Sequence, residues 1–581
     1  MDKLINASER LAAALTTEAT EFSQSLFRAL TQPTEADGPY TAATAILSNI
    51  GHLLAYAEGN QRHIQFDMLD RWRVEHIDSF EWRLRLLTLL SDLPRDGTQY
   101  EDQHYAWVSM LRSTVGNHDP ALIAEEQQLY SAVRGVRQGL STDRSALLSR
   151  LGVSADGRNP ETRFFRLMSR TGTSGLRTKL AAAWDRVSDR RATELVGILD
   201  EIVRLRWSAA SRRGFGSPLV ETFRRSTLTP NEARTFISGY VAEAVAGHRR
   251  LEAAVVKAVG HVDSPMDHYA YYVNQLTGTE TLPLVPLDAC LSLITAVIES
   301  VFRLSVEVSN SRSDDRIRLI LKDDGRTLGH ISIDLLPFVS SETNPVDVLE
   351  TEGTGAQAPT LPIGRALCRY QVGADGSRLV NFESSHNLFH EMGHALTQVL
   401  VRNREPRLSG YEYLPVERLE DLSTWFEKWV YHPEFDARMP AGSSLAICRR
   451  IKLLESRAAH LQRAVTAAID FDVHDRRVGL SESFRALDKE FDIAQYVQIG
   501  DIAGHLTHPM FRAYPGGAGL TYLWGAAFGA DQFRKFEDAS LSEVVSLDYS
   551  DHFQSCFDSR RPSELPDVLA VRQFYERALT V

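Results

Sequence analysis

The chain carries, at residues 387–396, the stretch Asn387-Leu388-Phe389-His390-Glu391-Met392-Gly393-His394-Ala395-Leu396. On an α-helix, residues four positions apart lie on one face, so His390 and His394 can present two imidazoles to one zinc ion. Glu391 lies beside that face, where it can take a proton from a metal-bound water. A chain of this length can contain the HExxH pattern by chance, as an ordinary helix face. Together with the acidic residues and the helix that follow it, the HExxH pattern predicts a helix that carries part of a catalytic site with one zinc ion per chain.

Two histidines and a water leave a catalytic zinc ion one protein ligand short. The acidic candidates that follow the pattern are Glu405, Glu412, Glu417, Glu420, Asp421 and Glu427. Residues 419–429 predict an amphipathic helix whose apolar side chains, Leu422, Trp425, Phe426 and Trp429, face the core. Glu420 lies near the start of this helix, where a buried carboxylate would need a partner such as a zinc ion.

These two segments together resemble the thimet oligopeptidase and oligoendopeptidase F family of zinc peptidases. That family carries Leu-Phe-His-Glu-Phe-Gly-His and, after a spacer, a helix with Glu-x-x-Ser-x-x-x-Glu-x-Trp. Residues 388–394 are similar to the first motif, and residues 420–429 to the second. The resemblance implies that Glu420 is the third zinc ligand. Thr397 stands where the family usually has a further histidine, which is not a ligand.

Three more segments share the resemblance, namely 267–272, 328–335 and 522–533. The family match therefore covers roughly 260–535, while the N-terminal half shares only helicity and size. The resemblance implies a mainly α fold, in which a large helical body encloses a deep substrate channel and a small β-sheet lies beside the zinc helix. We expect an N-terminal helical lobe at 1–240 and a catalytic lobe at 241–581.

The resemblance also implies a tyrosine and a histidine that stabilise the oxyanion of the reaction. Tyr522 matches the family tyrosine that precedes Leu-Trp, so we expect it to be the oxyanion donor, although a helix tyrosine can also serve packing alone. The stretch 508–521 departs from the family because it lacks the usual cluster of tyrosines. His508 and Tyr514 are the candidates to replace them. The glycines at 516, 517 and 519 predict a hinge or a close approach of the backbone to substrate.

His386 precedes His390 by four positions and could lie one turn below the site. A pair formed by His386 and His390 would lack a glutamate in the right place. We therefore expect His386 to be a neighbour of the site or part of the helix start, with Ser384 or Ser385 as the N-cap.

The apolar periodicity of the rest of the chain predicts helices at 7–30, 40–57, 61–93, 119–139, 177–206 and 231–259. Around residues 316–338 the pattern changes to two strand-like runs joined by an Asp-Gly pair, which predicts a β-hairpin. A loop-rich stretch follows at 339–360, and a further strand is expected at 366–372. An edge strand beside a zinc helix could pair with an extended peptide, although a hairpin can also be purely structural.

Composition limits the classes of partner. The 581-residue chain has a formal net charge of −12, so it has no basic excess to meet the phosphates of a nucleic acid. No apolar run of about 18 residues is present, and we expect no membrane span. The cysteines Cys290, Cys368, Cys448 and Cys556 are far apart, and the N-terminus has no signal-peptide pattern. A reducing cytoplasm is therefore expected.

The expected function is the zinc-dependent hydrolysis of peptide bonds in short or unfolded peptides, with Glu391 as the general base. One alternative is a peptidyl-dipeptidase or carboxypeptidase, which needs a cation such as Arg365, Arg369 or Arg512 to bind the substrate carboxylate. Others are a protease that trims the leader of a biosynthetic precursor, and a non-catalytic peptide-binding protein, which would have no use for Glu391. The sequence leaves open whether the chain is a monomer or a dimer.

Overall fold

The computed structural model describes residues 120–154, 174–223, 226–259, 282–310, 316–337, 351–354, 362–401, 414–440, 445–537, 540–541 and 565–576, with Gly410 and isolated positions between 160 and 171. The helices expected at 7–30, 40–57 and 61–93, the segment 267–272 and Cys556 lie outside these residues.

Helices make up most of the described chain, as expected. They are α1 (Pro120–Arg150), α2 (Ser174–Arg212), α3 (Pro218–Thr222), α4 (Pro230–Val259), α5 (Leu287–Phe302), α6 (Phe382–Leu400), α7 (Asp421–Phe426), α8 (Pro433–Asp436), α9 (Ala446–Arg476), α10 (Leu480–Phe491), α11 (Ile499–His505), α12 (Pro509–Ala513), α13 (Ala518–Phe533) and α14 (Val568–Glu576). The predictions at 119–139, 177–206 and 231–259 are confirmed by α1, α2 and α4.

The apolar periodicity of α4 shows why these segments are helical. Phe236, Ile237, Tyr240, Val241 and Ala244 recur at the spacing of one helix face, and all are buried. This face packs on α9, the long helix that also supports α13. The expected lobe boundary at 240/241 falls inside α4, and the division into two lobes stays a prediction.

A seven-stranded mixed sheet accompanies the helices. Its strands are β1 (Val285–Pro286), β2 (Ser305–Asn310), β3 (Arg316–Asp323), β4 (Arg326–Pro337), β5 (Thr351–Thr354), β6 (Pro362–Val372) and β7 (Arg378–Val380). The order is β1-β7-β6-β4-β3-β2, and β5 also pairs with β6. β3 and β4 form the predicted antiparallel hairpin, whereas β4 and β6 run parallel. The predicted strand at 366–372 is confirmed as part of β6.

One strand of the sheet was not predicted. Within the loop-rich stretch 339–360, residues 351–354 form β5, antiparallel to β6. The composition of this stretch, with its Gly, Pro, Asp and Glu residues, disfavours strand. Its pairing depends on the neighbouring edge of β6, which the local sequence does not reveal.

Close contact joins the sheet to helix α6. A Cβ atom on Gly364 of β6 would lie 2.7 Å from the carbonyl oxygen of Ala395, so the strand lies directly against the helix backbone. α6 begins after Asn381, whose Oδ1 accepts a 2.7 Å hydrogen bond from the Ser384 amide. The expected N-cap at Ser384 or Ser385 is therefore wrong, because Asn381 caps a helix that starts earlier, at Phe382.

Candidate metal centre

The HExxH stretch is helical, and its two histidines meet Glu420. The Nε2 atoms of His390 and His394 lie 3.4 Å and 3.2 Å from Oε2 of Glu420. All three ligand atoms lie within 4.8 Å of one another. A tetrahedral zinc site with bonds of about 2.0–2.1 Å has ligand separations of about 3.3 Å. The donor set and its spacing therefore fit one divalent metal ion.

The surroundings keep Glu420 ionised. Burial raises the pKa of Glu420, but His394, His390 and a hydrogen bond from Ser423 outweigh burial and lower the pKa to about 2. The Ser423 hydroxyl donates to Glu420 Oε2 at 2.5 Å. Glu420 is only 6% exposed, so this charge needs a cationic partner, which a metal ion would supply.

A second carboxylate orients one of the histidines. Nδ1 of His390 donates to Oε2 of Glu427 at 2.8 Å, which leaves Nε2 as the ligand atom. Burial raises the pKa of Glu427, but Lys428, His386 and His390 outweigh it and hold the pKa well below its usual range. The ammonium group of Lys428 is 3.3 Å from Glu427 Oε1, and the Lys428 side chain is almost fully buried. From the sequence, Glu427 was only a candidate metal ligand, and its hydrogen bond to His390 was not predicted.

The other acidic candidates are engaged elsewhere or lie outside the described residues. Glu417 accepts hydrogen bonds from the Thr227 amide and hydroxyl, and Asp421 forms an ion pair with Arg418. Glu405 and Glu412 lie outside the described residues.

His386 is buried beside Glu427, with 4.0 Å between Nε2 and Oε1, and burial lowers its pKa to about 4. It is thus a neutral neighbour of the cluster.

Three glycines allow the helices around the cluster to approach closely. A Cβ atom on Gly393 of α6 would lie 2.5 Å from the Leu422 carbonyl oxygen of α7. On α13, a Cβ atom on Gly525 would lie 2.4 Å from Glu420 Cβ, and one on Gly529 would lie 2.6 Å from the Thr424 carbonyl carbon. The segment that carries Glu420 is therefore held between α6 and α13.

A cleft of 570 Å³ opens on the cluster. His390, Glu420, Tyr522 and His508 line it, with the rings of His508 and Tyr522 at a centroid distance of 6.4 Å. Burial and the charge of Glu420 raise the pKa of Tyr522, so its hydroxyl stays protonated. Tyr514 is not among the residues lining this cleft, and it lies at the end of α12.

The glycine-containing loop before α13 is held in place by distant residues. The amide of Gly516, whose φ is 75°, donates to Oδ1 of the buried Asp470 at 3.1 Å. The Thr222 hydroxyl donates to the Pro515 carbonyl at 2.8 Å. A Cβ atom on Gly516 would lie 2.6 Å from a methyl carbon of Leu219. The glycines here permit close packing against α3, and nothing in this packing indicates a hinge.

The arginines considered for an exopeptidase lie away from this cleft. Arg365 and Arg369 are on β6, and the guanidinium group of Arg512 lies 4.8 Å above the ring of Tyr130. None of the three lines the cleft.

Among the described helices, none combines the length and apolar character of a membrane span.

The fold and the cluster define a class of proteins, the metallopeptidases in which an HExxH helix is joined by a glutamate from a second helix. The family model of Peptidase family M3 matches residues 167–573. The chain belongs to this family, and the resemblance stated from the sequence is confirmed.

Curated relatives match a smaller part of the chain. The probable cytosolic oligopeptidase A of Arabidopsis thaliana is 27% identical over 202 residues, which are 32% of this chain and 29% of that protein. Oligopeptidase A of Salmonella typhimurium is 23% identical over 219 residues, or 35% of this chain and 32% of that protein. The chain thus spans about a third of the length of these relatives.

Solved structures of peptidases superpose on this fold. PZ peptidase A with an inhibitor superposes with a TM-score of 0.54 and 11% identity, covering 97% of this chain and 93% of that chain. A structure assigned as an oligoendopeptidase F gives a TM-score of 0.57 and 12% identity, covering 97% of each chain. The predicted fold class, helical with a small sheet, is confirmed.

Proposed function

We propose that this chain hydrolyses peptide bonds in short or unfolded peptides with one zinc ion held by His390, His394 and Glu420. The observation that carries the proposal is that the Nε2 atoms of His390 and His394 lie 3.4 Å and 3.2 Å from Glu420 Oε2. Glu391 follows His390 directly on the helix that carries both histidines. Two nitrogens, one oxygen and an open position are the donor set of a catalytic zinc site. When bound, the ion supplies a Lewis acid and a water of lowered pKa.

Glu391 is the general base in this proposal. Burial raises its pKa, against the effect of His390 and His394, so the carboxylate is a stronger base than an exposed glutamate. It takes a proton from the attacking water and passes it to the leaving amine.

Tyr522 and His508 are the proposed donors to the oxyanion. The Tyr522 phenol remains protonated because burial raises its pKa, so it can donate a hydrogen bond. In His508, Nδ1 accepts a 3.4 Å hydrogen bond from the Met510 amide, which places the proton of the neutral ring on Nε2. Both groups line the same cleft as the metal ligands.

The test is cleavage of a mixed peptide library, with and without chelator, read by mass spectrometry. We expect cuts that chelation abolishes and zinc restores. Glu391→Gln should retain zinc, measured by elemental analysis, and lose turnover, because it removes the base and leaves the ligands. Equal inactivity of both proteins in the presence of bound zinc would refute hydrolysis and favour a peptide-binding protein.

Peptides with blocked C-termini separate the endopeptidase from the exopeptidase. We expect them to be cut, because hydrolysis within a peptide does not require a free C-terminus; the arginines considered for an exopeptidase, Arg365, Arg369 and Arg512, do not line the cleft. Rejection of every blocked peptide would instead support a dipeptidase or carboxypeptidase. The cytoplasmic location and the trimming of a leader peptide stay predictions.

A further inference from the structure

A second cavity, of 710 Å³, lies next to the cleft that opens on the metal cluster. The two share Arg137, Gly504 and His505 as lining residues, so they meet at this point. The second space therefore lies next to the cleft, on the side of these three residues.

One face of α1 lines the second cavity with polar and cationic side chains. Arg134, Arg137, Gln138, Ser141 and Arg144 all line it, at spacings of three and four residues. Of these, Arg144 is occupied, since it donates to Ser188 at 2.9 Å.

The charges in the cleft differ in how they are compensated. Glu383 is paired with Lys452 at 2.6 Å, and Glu427 is bound by His390 and Lys428. Arg137 and Arg463 also line the cleft, and neither forms a hydrogen bond or an ion pair with any group in the described part of the chain. Within the described residues, no ion pair has to be broken before either guanidinium group can bind a ligand.

Both arginines line the same cleft as the proposed oxyanion donors, Tyr522 and His508, and their charges act on these two groups. Burial and Glu420 raise the pKa of Tyr522, and the charge of Arg463 opposes that shift. Burial lowers the pKa of His508, and although Glu420 opposes this, the charge of Arg137 lowers it further. Arg463 comes from α9 and Arg137 from α1, so two different helices each contribute a cationic side chain to the lining of this cleft.

We propose that Arg137 and Arg463 are specificity-determining residues that bind a carboxylate of the substrate, either an acidic side chain or the C-terminus, at a distance from the scissile bond. The inference rests on the proposed function, because it takes the cleft to hold a peptide. A guanidinium group can bind a carboxylate through two parallel hydrogen bonds. The protein as a whole carries a formal net charge of −12, so a pair of cationic side chains in the cleft would favour an acidic peptide against the overall charge of the protein.

The experiment measures binding to the zinc-loaded Glu391→Gln protein, which should not cut its ligand. Labelled peptides differ only in charge. One has glutamine at the scanned position and an amidated C-terminus, one has glutamate there and the same amide, and one has glutamine and a free C-terminus. The glutamate is scanned through every position. Affinity is also measured after adding Arg137→Gln, Arg463→Gln or, as a control on α1 outside both cavities, Arg150→Gln.

We expect at least one acidic peptide to bind about fivefold more tightly than its neutral match, the effect of one partly exposed ion pair. The gain should fall at high salt and be lost in Arg137→Gln or Arg463→Gln, but not in Arg150→Gln. The second and third peptides tell which carboxylate is bound. Equal affinity for all three peptides, or a preference that survives both substitutions, would overturn the inference. If the preference is present but the wild-type protein cuts none of these peptides, the proposed function fails and the charge selection stands.

Discussion

Nδ1 of His390 and Oε2 of Glu427 lie 2.8 Å apart. Because Nδ1 donates this hydrogen bond, the lone pair of the imidazole is on Nε2, directed at the cluster with Glu420. The segment from Glu420 to the 3₁₀ turn at Glu427–Tyr431 thus carries both a proposed ligand and the carboxylate that orients a second proposed ligand. Misplacing this one segment would impair two of the three ligands together.

Glu427→Gln should weaken zinc binding about 10- to 100-fold, because it removes the charge that orients His390 and raises its basicity. The measurement is the zinc dissociation constant by competition with a chelator. Glu434→Gln is the matched control, since Glu434, on helix α8, pairs with Arg438 and lies outside the cleft. Unchanged zinc affinity in a folded Glu427→Gln protein would contradict the assignment.

Tyr522→Phe should lower kcat by about 100-fold or more with little change in zinc content, because it removes an oxyanion donor and no ligand. Tyr514→Phe should have a much smaller effect, since Tyr514 does not line the cleft. Steady-state kinetics on one peptide from the library decides between them. A large loss of kcat in Tyr514→Phe alone would reverse the two roles.

Gly393→Ala should lower the thermal midpoint and the zinc content together. The new Cβ atom would lie 2.5 Å from the backbone of α7, and overpacking of this kind costs about 1–3 kcal/mol. Gly197→Ala is the control, because no atom lies within 4 Å of a Cβ placed there in helix α2. That change should stabilise the protein by about 0.5–1 kcal/mol through helix propensity. A Gly393→Ala protein with wild-type zinc content would show that α6 and α7 can separate without harm.

His460 should make the protein less stable in acid. Burial and the nearby charges of Arg463 and Arg457 lower its pKa from 6.5 to about 3. As the pH falls below 6.5, the His460 imidazole becomes protonated in the unfolded chain, whereas in the folded protein it stays neutral down to about pH 3. Stability from this group therefore falls by up to about 1.4 kcal/mol per pH unit within that window.

The replacement His460→Gln isolates this effect. The free energy of unfolding of the metal-free protein is measured at several pH values between 6.5 and 4.5 for both proteins. We expect the variant to lose about 2 kcal/mol less than the wild type over this range. Parallel pH profiles for the two proteins would show that His460 titrates normally.

Local patterns in the sequence were enough for many of the elements. The HExxH helix, the hairpin of β3 and β4, and the buried positions Leu422, Phe426 and Trp429 follow from periodicity and from an Asp-Gly turn. These features depend on residues within a few positions of one another. The strand β5 and the cap at Asn381 depend on neighbouring pairing and backbone geometry, and they were missed.

By itself, the sequence determined the family, the helix that carries His390, Glu391 and His394, and the order in which Glu420 follows. Only the tertiary structure decided that Glu427 orients His390, that Tyr522 shares the cleft while Tyr514 does not, and that two arginines face the same space. Helix and strand patterns act over a few residues. The cluster instead requires α6, α7 and α13 to pack at glycine contacts, and such contacts between distant segments leave little mark on a single sequence.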